Sequence, residues 1–119
     1  MDEDIRFPVY CLGSTGGALP YTFVCPYKCT VRDLIGAVNV DPGDAESVTL
    51  TNATQSTTLG VLLWGSTIAA NAKGTWTADV TEGDTVNNAG DVLVFTVTQV
   101  TAAATFSLIL ELDPKCRVA

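Results

Sequence analysis

The four cysteines, Cys11, Cys25, Cys29 and Cys116, are the residues whose chemistry and spacing are most informative. Three residues separate Cys25 from Cys29 and the other two stand far apart, whereas zinc ribbons usually show two close pairs. The chain has no histidine, so a zinc site would need thiolates alone. The spacing therefore favours buried thiols or disulfides over zinc. Their pairing stays open, including a bond from Cys11 or Cys116 that joins chain ends or neighbouring subunits.

No combination of residues in the sequence predicts a catalytic site. General acid–base catalysis usually uses histidine or paired carboxylates in a cleft, and most carboxylates here fall in predicted turns, which favour aspartate. A cysteine nucleophile would lack its histidine partner, and no Gly-x-Ser-x-Gly elbow or phosphate-binding glycine loop occurs. The acidic turns at 41–44 and 82–84 do not match an EF-hand calcium loop. We expect no enzyme, no metal and no cofactor.

Charge and hydropathy exclude two further classes of partner. The chain carries 13 acidic and 6 basic residues, for a net charge of −7, and its basic residues are scattered, whereas phosphate binding needs them clustered. The amino terminus lacks the basic and apolar regions of a secretory signal. No apolar run reaches the ~20 residues that cross a membrane. We expect a soluble protein, made in a cytoplasm, that binds neither nucleic acid nor membrane.

The elements that position these residues are predicted to be β-strands. The chain has 17 threonines and 14 valines, whose β-branched side chains suit strands better than helices. Apolar and polar residues alternate in runs such as 47–51 and 105–112, and turn residues separate such runs every 8–12 residues or so. About eight strands predict an all-β, two-sheet antiparallel sandwich that is jelly-roll-like. It occupies residues 6–114, between an acidic tail at 1–5 and a second tail at 115–119.

Particular strands have predicted irregularities and buried faces. Residues 30–40 form a long strand that is bulged at Gly36, residues 59–68 form another, and residues 80–86 add a short irregular strand. Alternation also assigns the core. The residues predicted to face inward are Val48, Leu50, Leu62, Trp64, Ile68, Leu93, Phe95, Val97, Phe106, Leu108, Leu110 and Leu112.

The two tryptophans are predicted to lie on adjacent strands of a hairpin, as cross-strand neighbours. Trp64 shares a face with apolar residues, so it is expected in the core. Trp76 alternates with two threonines, which leaves both burial and exposure open. If exposed, Trp76 would offer a platform for stacking a sugar ring or anchoring a partner protein.

A series of short segments, in a fixed order along the chain, carries a resemblance to a known class of proteins. The segments are Phe7-Pro8-Val9-Tyr10, Tyr21-Thr22-Phe23, Val48-Thr49-Leu50-Thr51-Asn52, Gly65-Ser66-Thr67-Ile68-Ala69-Ala70, Gly74-Thr75-Trp76-Thr77, Ala89-Gly90-Asp91-Val92-Leu93 and Phe106-Ser107-Leu108-Ile109-Leu110-Glu111-Leu112-Asp113-Pro114. In these segments, and as a small acidic β-protein rich in threonine, alanine and valine, the chain resembles the decoration, or cement, proteins of tailed-bacteriophage capsids. The resemblance covers most of the chain, with no single diagnostic residue, and the four cysteines depart from it.

The resemblance implies a virion structural protein on the exterior of an icosahedral capsid, synthesised in the host cytoplasm. Its partner would be the major capsid protein, whose neighbouring subunits it bridges, and it would form a homo-oligomer, a trimer rather than a dimer. The candidate capsid or subunit interface is Phe7, Pro8, Val9, Tyr10 and Trp76. The segment 7–10 is expected to be either an arm ordered on binding or an ordinary edge strand. An oxidising virion exterior would let the thiols pair late.

A second hypothesis is a receptor- or glycan-binding β-sandwich module of a phage fibre or a cell surface. It requires either an exposed Trp76 or acidic turns that together hold calcium. A third is an uncharacterised enzyme subunit, which the missing catalytic constellation disfavours. The remaining alternative is a bacterial structural or scaffold domain.

Overall fold

The computed structural model describes residues 5–43, 46–65 and 68–115. The described residues form eight strands and no helix, which confirms the predicted all-β class. The strands are β1 (Ile5–Gly13), β2 (Leu19–Val24), β3 (Cys29–Val38), β4 (Ser47–Asn52), β5 (Thr57–Leu63), β6 (Thr75–Ala78), β7 (Val92–Val97) and β8 (Ala104–Pro114). Ile5 belongs to β1, so the sandwich begins inside the predicted acidic tail.

The nested pairing of the strands defines the architecture. The sheets have the orders β1-β8-β3 and β2-β7-β4-β5-β6. Strand β1 pairs with β8, β2 with β7, and β4 with β5, and all three pairs are antiparallel. These three pairings are nested one inside another along the chain. Strand β3 is bridged at Ala37 to Lys73, which precedes β6 in the chain. These pairings are those of a jelly roll except that β6 lies beside β5 in the five-stranded sheet, so the predicted two-sheet, jelly-roll-like antiparallel sandwich is confirmed.

Period-2 alternation explains which side chains fill the space between the sheets. In β4 and β7 every second residue is buried, as expected for strands with one face on a core. Each of the twelve residues predicted to face inward is at most 4% exposed. The central strand β8 contributes Phe106, Leu108, Leu110 and Leu112. Sequence alternation therefore identified these twelve positions correctly, and the core also includes Leu34, Val38, Leu59, Val100 and Ala104, which were not predicted.

The predicted bulge at Gly36 is wrong in position. The register of β3 against β8 shifts between Val31 and Asp33, so Arg32 is the extra residue. Gly36 has a different role, because a Cβ there would lie 2.4 Å from Leu108 Cδ2. Leu62 Cδ2 of the opposite sheet would lie 2.8 Å from the same Cβ, so glycine leaves room for two core leucines at this position.

Two other strand predictions also need correction. Strand β5 ends at Leu63 and does not continue to Ile68. Residues 80–84 form turns and no strand, because the Asp79 carboxylate accepts hydrogen bonds from the N–H groups of Thr81 and Glu82, both at 2.9 Å. A side chain bonded to its own backbone in this way favours a turn over a sheet ladder.

Candidate functional site

The segment Phe7–Tyr10 lies within β1, an edge strand that pairs with β8 along its whole length. Strand alternation divides its side chains between two faces. Phe7 and Val9 pack against the core, and the Phe7 ring meets Phe23 edge-on at a centroid distance of 5.3 Å. Pro8 and Tyr10 point outward, with Tyr10 69% exposed. Of these four candidate interface residues, only Pro8 and Tyr10 are placed to contact a partner.

Trp76 packs inward at the edge of the other sheet. It is half-buried, and its ring covers Gly60, where a Cβ would lie 2.5 Å from Trp76 Cη2. Trp64 is buried, and its indole N–H donates to the carbonyl of Ala72 at 2.9 Å. The residue opposite Trp76 is Leu62. The prediction that the two tryptophans are cross-strand neighbours is therefore wrong. Neither indole offers an open platform for a sugar ring.

Three of the cysteines are buried thiols. No disulfide joins Cys11, Cys25 and Cys29, and each is at most 2% exposed. Burial raises the pKa of the Cys11 thiol to about 11, because an apolar environment disfavours the thiolate. Cys116 lies outside the described residues.

The outer face of the five-stranded sheet has no charged side chain on any described strand. One row across the sheet reads Pro20, Thr96, Thr49, Val61 and Thr77. We call the whole surface the uncharged face. It comprises Pro20, Thr22, Val24, Ser47, Thr49, Thr51, Thr58, Val61, Leu63, Thr75, Thr77, Val92, Val94 and Thr96. An acidic protein normally spreads charge over its exposed surfaces, and charge depletion is typical of the centre of an interface.

The uncharged face was missed from the sequence, although a signal for it exists. No charged residue occurs between Glu46 and Lys73, or between Asp91 and Glu111. These two runs supply β4, β5 and β7, the middle of the sheet. Each strand alone has the ordinary alternation of a half-buried strand. Only the strand order shows that their outward positions lie side by side.

The outer face of the three-stranded sheet is different in character. Its centre is a strip that we call the tyrosine band, comprising Pro8, Tyr10, Leu12, Ile35, Ala37, Ser107 and Ile109. Tyr10 and Leu12 are mostly exposed. The band ends at a charged row in which Arg6 Nε lies 3.1 Å from Glu111 Oε2. The two outer faces of the sandwich therefore differ in polarity and in charge.

A shallow hollow lies at the β6 end of the uncharged face. Its volume is about 360 Å³, and its lining includes Thr58, Val61, Leu63 and Val80, with Asp79 just beyond β6 as its one charged residue. Val80 is 98% exposed at the rim. An exposed aliphatic side chain beside an apolar hollow suits a protein partner that supplies apolar side chains of its own.

A buried polar network braces the end of the sandwich where β4 meets β7. The Asn52 amide donates to Asn87 Oδ1 at 2.8 Å and to Asp91 Oδ2 at 2.9 Å. Asp91 Oδ2 also accepts from Gln55 Nε2 at 2.7 Å and from the Asn88 N–H at 2.9 Å. These donors, Asn52 foremost, hold the pKa of Asp91 below its usual range. The carboxylate is thus already engaged by protein groups and acts as a structural acceptor.

Acid should weaken the fold through Asp91. Because its folded-state pKa is depressed, its contribution to stability is complete above the unfolded pKa of about 3.9 and is lost as the pH falls through the folded pKa. Replacement Asp91→Asn should cost about 1–2 kcal/mol of unfolding free energy at pH 7. The same replacement should also make the free energy of unfolding fall less steeply with pH below about pH 5. Urea denaturation between pH 7 and pH 3 measures both effects.

Asp84 provides the matched control for this series, because it lies in an exposed turn. The Asp84→Asn variant should follow the wild-type curve. If the unfolding free energy of the Asp91→Asn variant fell as steeply with pH as that of the wild type, other groups would be the cause of the acid sensitivity.

Several carboxylates have turn-forming roles. Asp41 accepts from the Gly43 N–H at 2.8 Å, and Asp79 caps the turn at 80–84.

Among the described residues, no group of three or more Cys, Asp or Glu side chains could hold a metal ion. The same residues include no helix long and apolar enough to cross a membrane.

Comparisons with known proteins assign the chain to no family. No protein-family model matches the sequence, and no curated protein matches it at a significant level.

Proposed function

We propose that this chain is a virion structural protein that binds the outside of an icosahedral bacteriophage capsid and stabilises contacts between major capsid protein subunits. The observation that carries the proposal is the uncharged face. The chain has a net charge of −7, yet its widest sheet surface has no carboxylate or ammonium group on any described strand. A charge enclosed at an interface loses its hydration, so surfaces that bind other proteins exclude unpaired charge.

The size of the uncharged face supports binding in many copies. Strands about 4.8 Å apart and about 17–20 Å long give five of them a footprint of roughly 20 by 20 Å. A standard stable complex buries about 800 Å² per partner, so one isolated copy would bind weakly. A shell presents many identical sites, and linked copies on such a lattice gain avidity without new contacts.

The arrangement also suggests how copies meet one another. If the uncharged face lies on the shell, neighbouring copies lie side by side and approach through the free edges of the five-stranded sheet, β2 and β6. The exposed Val80 and the hollow lie at the β6 edge. The homo-oligomer, a trimer rather than a dimer, belongs to the same proposal and is supported by the resemblance to cement proteins. Pro8 and Tyr10 then point away from the shell.

Co-sedimentation with assembled shells tests the proposal. Purified protein should pellet with shells of the phage that encodes it and should not bind free major capsid protein subunits. Because the face carries no charge, the dissociation constant should change less than about threefold between roughly 50 and 500 mM salt. Failure to pellet, or equal binding to free subunits, would overturn the proposal. A steep loss of binding with salt would move the contact to a charged surface.

A further inference from the structure

The loop from β2 to β3 carries the chain from one sheet to the other and has a cysteine at each end. The Cys25 N–H donates to the Asp91 carbonyl and the Cys29 N–H to the Asn87 carbonyl, both at 2.9 Å. In return, Gly90 N–H donates to the Cys25 carbonyl at 2.8 Å and Asn87 N–H to the Cys29 carbonyl at 2.7 Å. Both cysteines are therefore fixed against the same segment, 87–91.

The side chains of Cys25 and Cys29 meet beneath this loop. They are 2% and 0% exposed, and the Cys29 thiol is hydrogen-bonded to the Cys25 sulfur. Pro26 and Lys28 of the same loop are exposed. The two sulfur atoms are thus neighbours in the folded protein, separated by three residues in the chain and both shielded from solvent.

The surroundings make Cys25 the more reactive of the buried thiols. The hydrogen bond from Cys29 lowers the pKa of Cys25, against the opposing effects of burial and of the Asp91 charge. Burial instead raises the pKa of Cys11 to about 11. Because the thiolate is the nucleophile in disulfide exchange, Cys25 should react before Cys11.

We propose that Cys25 and Cys29 form an oxidisable dithiol, which becomes an intramolecular disulfide on exchange with a small disulfide such as oxidised glutathione. The Cys25 thiolate attacks one sulfur of the small disulfide, forms a mixed disulfide and releases one small thiolate. The Cys29 thiolate then attacks the Cys25 sulfur and releases the second. The protein loses two hydrogens and the small disulfide is reduced to two thiols, so atoms and electrons balance. This modification is independent of the capsid proposal.

The disulfide would tie the two sheets together where the chain crosses between them. The disulfide closes a loop of only five residues, so the gain in unfolding free energy lies at the lower end of the range for disulfides. For a domain of this size the melting temperature should rise by about 5–10 °C. Since both sulfurs are buried, the exchange should take minutes to hours.

The experiment incubates the native full-length protein with oxidised glutathione and then blocks remaining thiols under denaturing conditions. Trypsin cleaves after Lys28, so the expected bond joins peptide 7–28 to peptide 29–32. The protein should lose two hydrogens in mass and stay monomeric in mass on a denaturing, non-reducing gel. The Cys11→Ser variant should give the same cross-linked peptides, which assigns the bond to Cys25. The Cys29→Ser variant should stop at the mixed disulfide with glutathione.

Mapping the bond to Cys11 or Cys116 would overturn the proposal. So would the retention of all thiols in the native protein under conditions that oxidise the urea-unfolded chain. The wild-type map decides the question even where a cysteine variant fails to fold.

Discussion

Replacement of Phe106 by alanine should lower the free energy of unfolding by about 3–5 kcal/mol. Phe106 is fully buried on the central strand β8. Its ring meets Trp64 edge-on at a centroid distance of 5.2 Å, and it leaves so little room that a Cβ on Gly13 would lie 3.0 Å from Phe106 Cε1. Because the surrounding side chains cannot move in to fill the space of the missing ring, the free-energy cost of the cavity adds to that of the lost apolar burial.

Urea denaturation followed by circular dichroism measures this loss. Phe7→Ala is the matched control, because Phe7 belongs to the same sheet but is only partly buried. It should cost about 1–2 kcal/mol, since neighbouring side chains and water can fill the space. Equal losses in the two variants would contradict the placement of the core between the sheets. As a domain of this kind is stable by only about 5–15 kcal/mol, Phe106→Ala leaves little reserve.

Replacement of Thr96 by glutamate should weaken binding to shells by at least about 100-fold. Thr96 lies on β7, with Pro20 and Thr49 as its cross-strand neighbours, near the centre of the uncharged face. A carboxylate enclosed there without a partner costs about 3 kcal/mol or more. In the free protein the side chain can extend into water, so the fold should persist.

The control for this variant places the same charge on the opposite side of the sandwich. Ser107→Glu lies in the tyrosine band, next to Tyr10 and Ala37, and should bind shells like the wild type. Thr77→Glu, at the exposed β6 edge of the uncharged face, should weaken binding as Thr96→Glu does. If Ser107→Glu abolished binding while Thr96→Glu did not, the tyrosine band would be the surface that contacts the shell. Melting curves check that each variant is folded.

The sequence alone determined the fold class and the inward face of most strands. Apolar and polar residues alternate with a period of two in β4, β7 and β8, and this period is a local property that a single strand displays. The core positions of Phe95 and Phe106 follow from it directly. Turn chemistry also separated the strands but did not place every strand end. Strand β5 stops at Leu63 and not at Ile68, and a turn capped by Asp79 replaces the strand predicted at 80–86.

Only the tertiary structure decided which strands are neighbours, and the candidate sites depend on that choice. The outward residues of β4 and β7, far apart in sequence, form one uncharged surface because these strands pair. Cys25 and Cys29 are both bonded through their backbones to the distant segment 87–91, which the sequence did not reveal. Strand pairing is set by packing between distant parts of the chain, which local alternation does not encode. For the same reason the sequence could place Trp76 on a strand but not show that its ring covers Gly60.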